Sequence, residues 1–165
     1  MRRRMARGTW NELLVWRKDM TAKELWDRFA QENNLEHCGY EAWAFGADAD
    51  LLAQLVETGV KTATASADPL YELENAPLPR AGAYNVILDS KGNAVCIVRT
   101  EKVTVIPFNE VTAEHAFMEG EGDRSLDYWR ESHEKFFREC MGNAGLAFTT
   151  DMKVVCEEFA VVYRR

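Results

Sequence analysis

The chain carries no CxxC pair, no internal repeat, no low-complexity tract and no hydrophobic run long enough to cross a bilayer. Its four cysteines, Cys38, Cys96, Cys140 and Cys156, stand far apart. That spacing excludes a dense disulfide framework and points to free thiols in a reducing cytoplasm. His37 beside Cys38 is not a metal-ligand spacing. The opening "MRRRMAR" is basic, but the following "TWNELLVW" is too short and too polar for a signal-peptide core, and no small-residue cleavage site follows. The expected location is therefore cytoplasmic. Positive charge is also in short supply: 20 Lys and Arg against 27 Asp and Glu give a formal net charge of -7. A phosphate backbone would be repelled at long range, which argues against charge-driven nucleic-acid binding and leaves only a local basic groove. Several of the cations sit at the chain ends, at Arg2, Arg3, Arg4, Arg7, Arg164 and Arg165, so the body is more acidic still.

At 165 residues, 47% apolar and 28% charged, the chain has the length and composition of one globular domain with its own core. Eleven percent aromatics, five of them tryptophan, supply that core and can supply a stacking surface. Residues 1–20 are poorly patterned. "TAKELWDRFAQENN" predicts a helix with a capping box at Thr21 and Glu24 and an apolar stripe of Leu25, Trp26 and Phe29. "YEAWAFG" reads as a short strand or ordered loop. "DADLLAQLVETG" predicts a helix with Asp48 as N-cap and Gly59 just past its end. "VKTATAS" reads as a strand, and "DPLYELENAPLPRAG" as a short helix or turn followed by a loop. Two apolar runs flanking "DSKGN" predict a β-hairpin, with Pro107 stopping the second run. A short helix ends near Glu119, and an amphipathic helix carries Leu126, Trp129, His133, Phe136, Phe137 and Cys140 on one face. "MKVVCEEFAVVYRR" is a final strand. Helices and strands mix without regular βαβ alternation, which predicts an α+β fold, a small barrel with helices packed on it.

Three stretches, "GVKTATAS", "LPRAGAYNVIL" and "PFNEVTAEHAFMEGEGDRSLDYWRESHEKFF", together resemble the ASCH (activating signal cointegrator homology) domain, in its longer bacterial branch. The resemblance runs from about Trp43 to Tyr163. It divides the chain into an N-terminal arm and helix over 1–39 and the ASCH domain over 40–165. It implies a PUA-like small β-barrel, a fold often used to bind RNA. It also implies activities seen among family members: amidohydrolysis of N4-acylated cytidine, or ribonuclease action. The family's proposed catalytic lysine, threonine and glutamate fall on Lys61, Thr64 and Glu119, within "GVKTAT" and "HAFME".

Amide hydrolysis needs a nucleophile, a base and a proton for the leaving nitrogen. Thr64 offers the hydroxyl. Lys61 can be the base if burial beside Ala63 and Ala65 lowers its pKa, or it can stabilise an oxyanion if it stays charged. Glu119 can shuttle the proton, and His115, one turn earlier, can orient it. Geometry raises an objection, because residues i and i+3 of a regular strand point to opposite faces. Lys61 and Thr64 converge only through a bend, or if Lys61 lies in the turn after Gly59. Lys61→Ala is expected to remove activity and leave the fold intact. Trp43, Phe45, Thr62, Trp129 and His133 are candidates for ligand contact, although the apolar helix face carrying the last two favours a core position for both. Arg99 and Arg124, with Lys102 and Arg130, can meet phosphates. Glu119, Glu121 and Asp123 lack calcium-loop spacing and read as a solvated acidic turn, so neither metal nor cofactor is expected. The expected partner is a nucleoside or short RNA, with no membrane. RNA binding or cleavage, and a non-catalytic module for modified nucleosides, are the alternative functions.

Overall fold

A computed structural model describes residues 19–165. The unpatterned basic arm read from the first residues falls outside that range, apart from Asp19 and Met20. In chain order the elements are α1 (Ala22–Asn33), β1 (Glu41–Ala44), α2 (Ala49–Glu57), β2 (Ala63–Ala67), α3 (Asp68–Glu74), β3 (Tyr84–Leu88), β4 (Ala94–Pro107), α4 (Ala113–Glu119), α5 (Leu126–Asn143) and β5 (Lys153–Arg164). A single 3-10 turn over Phe108–Glu110 precedes α4.

The helix ends follow from local side-chain chemistry. Thr21 and Glu24 form the reciprocal capping box of α1, and Asn34 closes it in the left-handed region. Asp48, Thr112 and Ser125 accept backbone N–H groups at the starts of α2, α4 and α5. Gly59 follows α2 with φ +78°.

The five strands form one mixed sheet in the order β1-β3-β4-β5-β2. Only β1 and β3 run parallel. The long β4–β5 ladder shifts register at Ile97/Val98 and again at Thr100/Lys102. Such irregularities bend a sheet and increase its twist. The result is a curled half-barrel with helices around it, the α+β fold expected. Its two edge strands, β1 and β2, both contribute to the wall of one cavity.

Three apolar clusters hold the helices in place. Leu25, Trp26, Phe29 and Ala30 of α1 pack on Val86 and Ile97. Ala53 and Val56 of α2 pack on Ile87, Cys96, Val98 and Phe159, with Trp43 and Phe45 alongside. Trp129, Phe137 and Met141 of α5 join Phe108, Val154, Cys156 and two alanines of β2.

The strand read over "VKTATAS" begins only at Ala63. The amides of Val60 and Lys61 both donate to the Leu55 carbonyl, and Thr62 N–H donates to Met118 O at 2.8 Å. Residues 60–62 therefore finish α2 and tie it to α4 before any sheet pairing starts. From Ala63 the pleat alternates. Ala63, Ala65 and Ala67 are buried, Ala65 and Ala67 among the α5 cluster, while Thr64 and Ser66 line the cavity on the other face. The alanines thus let helices approach β2 closely rather than making room beside Lys61.

Gly120 ends α4 with φ +73°, and a Cβ there would lie 2.6 Å from the Val60 carbonyl oxygen. Gly59 has a similar φ but nothing within 4 Å of a Cβ. Gly59→Ala should cost about 1–2 kcal/mol, the left-handed penalty alone. Gly120→Ala should cost more, about 2–4 kcal/mol, because the collision adds to it. Urea unfolding of the two variants checks the difference.

Candidate functional site

The close approach of α4 to the Val60–Thr62 turn brings together residues 58 positions apart in sequence. Lys61 leaves the turn with its side chain wholly inside the protein, 1% exposed. Its ammonium donates to Glu119 Oε2 at 2.9 Å, to Glu121 Oε1 at 2.7 Å and, more weakly, to the Glu119 carbonyl at 3.4 Å. Phe45 lies 5.3 Å from the same nitrogen and adds a cation–π contact.

Glu119 is also 1% exposed and is surrounded. Besides Lys61, its Oε1 accepts from Trp129 Nε1 at 2.8 Å and from His115 Nε2 at 3.1 Å. His133 Nε2 faces Oε2 at 3.3 Å. Since a carboxylate only accepts, His115 must carry its hydrogen on Nε2. His133 is stacked on Trp129, with ring centroids 4.2 Å apart. Together these contacts use the acceptor capacity of both Glu119 oxygens.

Charge follows from this packing. Burial alone would push the Glu119 carboxyl up, but Lys61, His133 and His115 overcome it and hold the group well below its ordinary value of 4.5. Burial alone would push Lys61 down, but the Glu119 and Glu121 carboxylates overcome it and raise the group above its ordinary 10.5. Lys61 is therefore an ammonium and not a free amine base. The lowered lysine pKa expected from burial among alanines is corrected here, because two carboxylates bond the nitrogen directly.

The cluster opens onto a cavity of about 820 Å³. Its wall includes Trp43 and Phe45 from β1 and the loop after it, Thr64 and Ser66 from β2, Tyr71 from α3, His133 and Phe136 from α5, and Glu119 and Glu121. The structure thus brings Thr64, Glu119, Trp43, Phe45 and His133 to one hollow, with Lys61 directly behind the two carboxylates. Because Lys61 lies in the turn, the strand-parity objection to its meeting Thr64 does not arise.

The other candidates lie elsewhere. Trp129 is 2% exposed, behind Glu119, and orients that carboxylate. Thr62 joins β5 through Phe159 N–H to its carbonyl and joins α4 through Met118. Arg99 is exposed on β4. Arg124 donates from Nε to the Phe117 carbonyl at 3.1 Å and lies over the Phe117 ring, so it caps the last turn of α4. Lys102 pairs with Glu158, and Arg130 donates to the Asn109 carbonyl. None of these six lines the cavity wall.

The sequence pattern places Glu121 in a solvated turn, yet it is Lys61's second partner. The left-handed Gly120 between Glu119 and Glu121 turns the chain so that both carboxylates reach one ammonium. Asp123 instead accepts from the Ser125 amide. Ligand atoms of Glu119, Glu121 and His133 lie within 4.8 Å of one another, a spacing compatible with a metal ion. The Lys61 ammonium already bonds both carboxylates, so a divalent cation there would meet a fixed positive charge.

A family model described as the ASCH domain matches residues 41–163. The chain belongs to the ASCH domain family. A crystal structure of an ASCH domain from Lactobacillus crispatus superposes with a TM-score of 0.82 at 29% identity, covering 91% of this chain and 100% of that one. A protein from Enterococcus faecalis superposes with a TM-score of 0.80 at 38% identity, covering 86% of this chain and 88% of that one. A search of curated proteins finds no match. In this ASCH domain no helix among the described residues is long and apolar enough to cross a membrane.

The buried pair sets the pH response of the fold. Glu119's depressed pKa contributes stability that is complete above about 4.5 and is lost as pH falls toward its folded value. Lys61's raised pKa contributes stability that is complete below about 10.5 and is lost as pH rises through its folded value. Lys61→Met leaves Glu119 charged and without its cation, which should cost about 3–5 kcal/mol. That cost replaces the expectation that removing the Lys61 charge spares the fold. Urea midpoints measured across pH should show the variant losing the alkaline decline that Lys61 gives the native protein.

Proposed function

We propose that this ASCH domain hydrolyses the amide of a small acylated nucleoside, of the N4-acylated cytidine type. The observation that carries the reading is that Thr64 shares one aromatic-walled cavity with Glu119 and Glu121, the two carboxylates that Lys61 pairs from behind. Trp43, Phe45 and Tyr71 give flat apolar surfaces suited to a base ring, and a cavity of about 820 Å³ has room for a nucleoside.

The pairing of these groups supports a division of roles. Glu119, with four partners, anchors Lys61. Glu121 gives Lys61 one oxygen and is partly exposed, so it is the carboxylate able to move a proton. The Thr64 hydroxyl attacks the acyl carbon as its proton passes to Glu121. The Lys61 ammonium stabilises the oxyanion through its fixed charge, from behind the two carboxylates it bonds. Glu121 then protonates the leaving nitrogen, and water cleaves the threonine ester by the same route.

Ribonuclease action is less well supported by the same wall. Glu41, Glu119, Glu121 and Glu157 line the cavity against Arg80 and the enclosed Lys61, which disfavours a polyanion inside. The arginines suited to phosphate lie outside it.

Incubation with N4-acetylcytidine, with cytidine and acetate quantified by chromatography, tests the reading. Native protein should release both in equal amounts. Thr64→Ala should lower kcat by about 100-fold or more. Lys61→Arg, which keeps the buried charge, should lower kcat without the unfolding caused by removing that charge. Saturable binding without product would instead support a binding module, and cut RNA oligomers a ribonuclease.

A further inference from the structure

A second buried carboxyl lies on the same cavity wall, away from the lysine cluster. Glu157 of β5 is 5% exposed. It is the cross-strand partner of Thr64, so the two side chains project from the same face of the sheet. Directly opposed residues of an antiparallel pair have Cβ atoms about 4.5–5.5 Å apart. A ligand group that touches the Thr64 hydroxyl is therefore within reach of Glu157.

A directional chain of hydrogen bonds leads to this carboxyl. Trp43 Nε1–H donates to Asn85 Oδ1 at 3.0 Å, and Asn85 Nδ2–H donates to Thr100 Oγ1 at 3.3 Å. Thr100, fully buried, has then accepted one bond and directs its own hydroxyl at Glu157. The chain fixes one side of the carboxyl and consumes both ends of the Asn85 amide. Nearby, Tyr71 and Ser66 bond each other at 2.9 Å. This end of the cavity presents acceptor capacity from Glu157 and Glu41, beside the one hydroxyl hydrogen that the Ser66–Tyr71 bond leaves free. Burial, above all, raises the Glu157 pKa, and Glu41 adds to it against the Thr100 bond, so the group gains from any N–H donor that reaches it.

We infer that Glu157 contacts the ligand directly, accepting the exocyclic N–H of an aminopyrimidine whose substituent lies against Thr64. A carboxylate accepting from the cytosine amino group is the pairing that base-edge chemistry favours for Glu. The inference rests on the proposed nucleoside reading, but it concerns recognition rather than turnover. Trp43, Asn85 and Thr100 are positioning residues that act through Glu157.

Calorimetric binding of cytidine and of its analogue lacking the 4-amino group tests it in the full chain. Native protein should bind cytidine about tenfold more tightly, the worth of one good buried hydrogen bond. Glu157→Ala should bind the two equally. Glu157→Gln, which retains an oxygen acceptor and the shape of the side chain, should restore the preference and covers the case in which the alanine variant does not fold. An alanine variant that keeps the tenfold preference overturns the inference, as does a native protein that binds both compounds alike or binds neither. Discrimination without hydrolysis of the acetylated compound would sustain Glu157's role and remove only the hydrolase reading.

Discussion

A lysine ammonium and a glutamate carboxylate, both removed from water, face each other where α4 meets the end of α2. Stripping two ions of solvent costs several kcal/mol each, and their attraction offsets this only when the remaining donors and acceptors are also met. The surroundings meet them. All three Lys61 N–H groups have acceptors, and Glu119 receives an indole N–H and an imidazole N–H besides the ammonium, with a second imidazole facing it. The helix termini, the left-handed Gly120 and the α5 stripe carrying Trp129 and His133 can all be understood as parts that hold this pair. A fixed charge of this kind is organised before a ligand arrives, which is the condition under which electrostatics most lowers a reaction barrier.

Two carboxyls in one cavity have opposite environments. Glu119 is bonded by cations and donors and stays ionised, while Glu157 is buried with one hydroxyl donor and an acidic neighbour. Separation of this sort assigns different work to chemically identical groups. Thr64 stands at the junction, in register with Glu157 on one side and sharing the cavity with Glu119 and Glu121 on the other. The curl of the sheet makes this possible, because edge strands β1 and β2 would lie far apart in a flat sheet of this order.

Much of the fold was legible because its signals are local. The Thr21–Glu24 box, the Asp48 cap, the "DSKGN" hairpin and the end of α4 at Glu119 each depend on residues within a few positions of one another. The resemblance supplied Lys61, Thr64 and Glu119, but not their charge states. Those depend on Glu121, His115 and His133 packed at bonding distance across three segments. Glu121 looked like one acid in a polar turn, and Trp129 like either core or ligand contact. Glu157 gave no signal at all, since its meaning comes from which strand β5 pairs with, and periodicity within a strand does not encode its neighbour. Threonine and valine favour sheets, so "VKTATAS" has the pattern of a strand from Val60, whereas the Leu55 and Met118 carbonyls claim its first amides.

Lys61 and Glu119 are both ionised inside the folded protein. Nuclear magnetic resonance titration of the Lys61 side-chain nitrogen and the Glu119 carboxyl carbon tests it most directly. The ammonium should persist beyond pH 10.5 and the carboxylate should stay ionised as pH falls through 4.5, for as long as the fold endures. A neutral Lys61 near neutral pH, or a Glu119 that protonates at or above its ordinary value, would contradict it.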